Sequence, residues 1–185
     1  MESFENKTYT GNSKPLVKGE YEKCRFDGCQ LSNYDLSGFY FTDCIFENCD
    51  LSMAKLRGAA FREVSFKNCK LLGLHFQHCH TFLLSFMFSN CMLSYSSFYR
   101  LKLKNTSFND CKLVDVDFSE SDMSGSIFGN CDLSGAIFDQ SVLDGCDFRS
   151  AVHFSIDPGK NSITKARFSN NNLSGLLDTF NILID

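Results

Sequence analysis

Ten cysteines and four histidines are the residues of this chain with the widest choice of chemistry, and their spacing decides what that chemistry is. Ten thiols in 185 residues could staple a small secreted scaffold, and His75, His78, Cys79 and His80 lie close enough in sequence to hold zinc. The spacing argues against both. Every cysteine sits two residues before a position of a five-residue register that otherwise carries large apolar side chains. Side chains so placed line a packed interior as small hydrophobes, so all ten thiols are expected to be free, buried and inert. His75 and His80 precede positions of the same register on successive faces while Cys79 points inward, so gathering four ligands would break the coil and no metal is expected. His153 falls on a would-be core position beside Phe154 and is expected as a buried, hydrogen-bonded histidine. No nucleophile motif or phosphate loop occurs, and the serines fall at turn positions, so neither catalysis nor a cofactor is expected.

The register itself is what must position these residues. From Leu83 onward it runs through Phe88, Leu93, Phe98, Leu103, Phe108, Leu113, Phe118, Met123, Phe128, Leu133, Phe138, Leu143 and Phe148. An upstream run, offset by two residues, runs from Leu16 and Tyr21 through Phe26, Phe46 and Phe66 to Phe76. A period of five fits neither a helix nor an open strand, and it demands a repeat architecture. A bulky and a small inward residue in every five suit a square coil of four short sides, 20 residues in all. Phenylalanine then recurs at that spacing (Phe26, Phe46, Phe66, then Phe88, Phe108, Phe128, Phe148), as does cysteine (Cys29, Cys49, Cys69, Cys91, Cys111, Cys131). The offset places two additional residues somewhere in 77–87, where they must bulge from a face or corner. Another two-residue excess is placed near Asn12 to Pro15, within a first, imperfect coil built on Phe4 and Tyr9.

This pattern closely resembles the pentapeptide repeat family, written A-(D/N)-L-x-x; here it reads Cys-Asp-Leu-Ser-Gly at 131–135 and Cys-Gln-Leu-Ser-Asn at 29–33. The resemblance implies an all-β fold, a right-handed quadrilateral β-helix of about seven to eight coils over residues 1–170. Residues 171–185 change pattern. Leu173, Leu176, Leu177 and Phe180 recur at helical spacing, and Ile182 and Ile184 alternate as in a short strand, so a capping and dimerisation element ends the chain. That ending resembles the quinolone-resistance branch of the family, the Qnr and MfpA type proteins. The resemblance implies a DNA mimic that binds DNA gyrase or topoisomerase IV, protects against quinolones and pairs with a second copy through its C-terminus.

Charge locates the surface such a partner would meet. The net charge of −4 argues against nucleic acid as the partner, since phosphate binding needs a basic footprint. A basic stretch, Arg62 to Lys104, separates acidic N-terminal coils from residues 111–150, where eight acidic residues against two basic ones leave −6. Within that belt, Asp117, Glu120 and Asp139 flank Phe118 and Phe138 on one face, Asp115 sits at the adjoining corner, and Asp122 and Asp144 flank Met123 and Leu143 on the next. These six are the candidate partner-binding residues, and reversing them is expected to leave the core undisturbed. The alternative is a structural interaction scaffold for another protein partner, for which the basic belt is the feature to test. With no apolar run for a signal peptide or membrane span, a cytoplasmic protein is expected.

Overall fold

The backbone turns at fixed intervals because the sequence supplies a turn residue at fixed intervals. In the computed structural model, which describes residues 1–11, 16–180 and 182–183, the carbonyl of a core residue accepts a hydrogen bond from the amide three positions on, as in Leu31 to Tyr34, Leu36 to Phe39 and Leu51 to Ala54. The third residue of each such turn has positive φ, the type II pattern, and is commonly Asn, Asp or Gly, as at Asn33, Gly38, Asn105, Asp115 and Gly135. Repeating the turn every five residues bends the chain into four sides.

The sides stack in register as parallel ladders. One sheet pairs β1 (Glu2–Glu5), β3 (Gly19–Glu22), β5 (Tyr40–Thr42) and β7 (Ala60–Arg62). The other pairs β2 (Thr8–Thr10), β4 (Arg25–Asp27), β6 (Ile45–Glu47), β8 (Val64–Lys67), β9 (Phe86–Ser89), β10 (Ser107–Asn109) and β11 (Ile127–Gly129). Seven paired strands make six turns, slightly fewer than the seven to eight expected, and isolated bridges from Ile127 to Asp147 to Arg167 carry the ladder further. The first coil is short, since Phe4 pairs with Tyr21 and Tyr9 with Phe26. The excess expected near Asn12 to Pro15 lies outside the described residues.

Inside the prism the apolar positions form files one strand spacing apart. Rings stack along the file from Phe26 to Phe168 with centroids 4.5 to 5.4 Å apart. The neighbouring file, Phe76, Phe98, Phe118 and Phe138, stacks likewise at 4.6 to 5.3 Å. Between the two files the rings meet edge to face, as for Phe108 and Phe118 at 85°. Both geometries are favourable for aromatic quadrupoles, each pair adding about 0.5–1.5 kcal/mol beyond burial. All ten cysteines are buried with free thiols. Their Sγ atoms bridge coils, Cys49 to the Phe26 carbonyl at 3.3 Å and Cys131 to that of Phe108 at 3.4 Å, as Ser141 Oγ does to Phe118 at 2.8 Å.

Two expected core positions are not core. Leu83 is 63% exposed because the two additional residues lie between Thr81 and Phe86 and carry the chain out of the wall; Leu83 becomes a corner residue with φ +58°. Its place inside is filled by Phe86, at a position elsewhere held by a small residue; its ring contacts those of Phe61, Phe66, Phe76 and Phe88. The shorter sheet ends at β7, directly before this bulge. His153 is exposed too. With φ +58° it turns outward and its Nδ1 lies 3.0 Å from Asp132 Oδ1, while Phe154 enters the core instead.

The C-terminal end is closed by 3-10 helix rather than α-helix. Asn170–Leu176 lies across the last coil, fastened by Asn172 Nδ2 to the Phe148 and Ala151 carbonyls and by the Ile156 amide to the Gly175 carbonyl. Gly175 is required there, since a Cβ would lie 2.7 Å from the Phe154 ring. A second 3-10 turn, Asp178–Phe180, follows.

Candidate protein-binding surface

The prism is filled, so any site lies on its outside, and the turn chemistry decides which acidic groups are free to act there. Among the described residues no three His, Cys, Asp or Glu side chains are placed to hold a metal ion; His75, His78 and His80 are exposed while Cys79 is buried. Nor is any helix among them long and apolar enough to cross a membrane.

The aspartate one place before a core residue braces the corner behind it. Asp117 Oδ1 accepts the Ser119 amide at 2.9 Å, Asp122 that of Ser124 at 3.2 Å and its hydroxyl at 2.5 Å; Asp35, Asp50 and Asp132 do the same. Asp144 instead joins coils, accepting Ser162 Oγ at 2.7 Å and the Thr164 amide at 2.8 Å. Part of the acidic belt is therefore structural, and the expectation that its reversal leaves the fold undisturbed is revised for Asp117, Asp122 and Asp144.

Two of the six carry partners of opposite charge from the coil before. Glu120 accepts from Arg100 Nε at 2.7 Å, from its terminal nitrogen at 3.1 Å and from the Tyr99 hydroxyl at 2.8 Å; Arg100 and then Tyr99 hold its carboxyl below the usual range. Asp122 meets Lys104 Nζ at 3.1 Å; burial pushes its carboxyl up, but the hydrogen bonds from Ser124 and Lys104 outweigh this and lower it. Arg100 and Lys104 are 20 and 18 residues upstream, so the coil length was the signal that could have found these pairs. Among the described residues Asp115, Asp117, Asp139 and Asp144 have no cationic partner within ion-pair distance. They occupy two successive coils, since Asp117 bridges Ile137 and the Glu120 amide donates to the Asp139 carbonyl.

Of the expected dimerisation residues, Leu173, Phe180 and Ile182 are exposed at 42%, 61% and 54%, Leu183 beside them more so. Leu176 packs on the chain's own core and Leu177 is half-buried. Ile184 lies outside the described residues.

A 20-residue parallel coil with a file of rings inside and a turn at every fifth residue defines a pentapeptide-type β-solenoid. The chain belongs to the pentapeptide repeat family: the family model for a pentapeptide repeat region matches residues 20–87 and 82–176. Its fold, a right-handed quadrilateral β-helix, is similar to solved structures of QnrB1, described as a plasmid-mediated fluoroquinolone resistance protein. Full-length QnrB1 aligns over 98% of this chain and 100% of its own, at 19% identity and a TM-score of 0.65. Two trypsin-treated QnrB1 variants align over 99% of this chain and 98% and 97% of theirs, at 20% and 19% identity and TM-scores of 0.66 and 0.67. No curated protein sequence matches the chain.

Proposed function

We propose that this protein is a non-enzymatic protein-binding solenoid, a DNA mimic whose acidic belt enters the DNA-gripping saddle of a type II topoisomerase, gyrase or topoisomerase IV. The observation that carries this reading is the group of four carboxylates, Asp115, Asp117, Asp139 and Asp144, on two adjoining sides of a rod, without cationic partners among the described residues. The six strand-paired turns and the two further steps carried by isolated bridges make a rod of about eight coils, ~38 Å at ~4.8 Å each, so two joined through the exposed apolar residues at their C-terminal ends would span ~75 Å, about 22 base pairs at ~3.4 Å. The belts then lie on either side of the dimer centre. By occupying the saddle in the cytoplasm the protein would keep quinolones from trapping enzyme on DNA, in line with QnrB1 being a fluoroquinolone resistance protein. The alternative scaffold reading draws on the basic belt, where Arg100 and Lys104 pair with the next coil's acids.

The test is competition. Labelled protein bound to purified gyrase or topoisomerase IV should be displaced by linear duplex DNA, and its affinity should fall steeply between low and moderate salt. Binding that saturating duplex does not displace would leave the scaffold and remove the mimic.

A further inference from the structure

One position of the acidic belt departs from the pattern around it. The outward place one residue before a core side chain is aspartate at 117, 122, 132 and 147, and each of these carboxylates accepts the amide two residues on. At 137 the same place holds isoleucine, which offers the Asp139 amide no acceptor and whose surface is 52% exposed. Asp117 bridges Ile137 from the coil before, and Asp139 projects from the same side two residues on. Among the described residues neither aspartate has a cation within ion-pair distance. Ile127, also exposed, lies instead between Ser107 and Asp147, whose carboxylate is paired with Arg149. The wall is thinnest beside Ile137. A hollow of about 520 Å³ opens there, lined also by Asp139, Asp157 and Lys160, with Lys160 paired to neither aspartate. Ala136 and Phe138, which line it too, are 7% and 6% exposed, whereas the other apolar core residues of 111–150 are at 1% or less.

We propose that Ile137 is a specificity-determining contact of the belt, packing against the aliphatic stems of the arginines and lysines whose charged heads meet Asp117 and Asp139. The inference rests on the topoisomerase reading above. A surface that grips DNA presents Arg and Lys to phosphates, and phosphate contacts leave the hydrocarbon stems of those side chains in water. An aliphatic group set between two carboxylates gives the stems an apolar partner that a phosphate backbone does not offer. The hollow beside it gives a stem room to lie against Ala136 and Phe138. Charge attraction, screened over a Debye length of ~8 Å at physiological salt, then sets the rate of encounter, and the apolar contact sets the residence time. An aspartate at 137 would brace the corner as at 117, but it would add only more charge.

The experiment measures association and dissociation of the full chain on immobilised gyrase, for wild type, Ile137→Thr and Ile137→Asp, from low to moderate salt. Threonine keeps a β-branched residue in the wall, and aspartate stands at the equivalent places 117 and 122, so both variants should keep the wild-type melting curve. Ile137→Thr should dissociate about tenfold faster, with its association rate and salt dependence unchanged. Ile137→Asp adds a carboxylate to the belt and should associate at least as fast as wild type, yet also dissociate about tenfold faster. Tighter binding by Ile137→Asp, or dissociation of Ile137→Thr at the wild-type rate, would overturn the proposal and leave a belt that acts by charge alone. Absence of wild-type binding would remove the topoisomerase reading itself, and this inference with it.

Discussion

Asp117 and Asp139 occupy similar outward positions beside stacked core rings, one coil apart, yet they should answer differently to the same substitution. Asp117 holds the Ser119 amide at 2.9 Å. Asp117→Lys should therefore cost about 0.5–1.5 kcal/mol in urea unfolding, the net worth of one hydrogen bond. Asp139→Lys should stay within about 0.5 kcal/mol of wild type, as surface changes do. Equal losses would mean that the turn bond contributes nothing. The thiols carry a second expectation at this scale. Burial pushes the Cys44 and Cys146 thiols up to about 12, so these two stay protonated at neutral pH. Ellman's reagent should label all ten only as the protein unfolds, and rapid labelling of most of them in native buffer would contradict the packed prism.

The coil is the unit on which the bulge acts. Phe86 fills the space that Leu83 leaves, so Phe86→Ala should cost about 3–5 kcal/mol through the cavity it opens. Phe82→Ala, on an exposed ring, should change stability by less than about 0.5 kcal/mol; similar losses for both would place the bulge inside the core. The sequence announced that two residues were in excess, because the ladder of phenylalanines shifts between Phe66 and Phe88. It misassigned Leu83 because a leucine in register looks the same whether the chain follows the wall or leaves it. His153 was misread for the same reason: a pattern of residue types carries no φ angle, and its positive φ turns the side chain outward. The six acidic positions were legible as surface, since each lies off the inward register. Their partners were not, because Arg100 and Lys104 approach Glu120 and Asp122 only after the chain closes a coil.

At the scale of the whole molecule, the two ends differ. The prism's C-terminal end is covered by Asn170–Leu176, but Leu173, Phe180 and Ile182 remain exposed beyond it, more apolar surface than a closed end needs. Light scattering should therefore give about twice 20.9 kDa, and Leu173→Glu with Phe180→Glu should give the single-chain mass; a wild-type monomer would remove the two-fold rod. The central claim is that uncompensated carboxylates, not the repeat as such, act on the topoisomerase. The most direct measurement is gyrase supercoiling of relaxed plasmid titrated with wild type, with Asp115→Lys plus Asp139→Lys, and with Glu20→Lys plus Asp27→Lys as the control in the N-terminal coils. The account predicts inhibition by wild type and by the control, and its loss, by about tenfold or more in the concentration needed, for the belt variant. Equal inhibition by the belt variant and the control would contradict it.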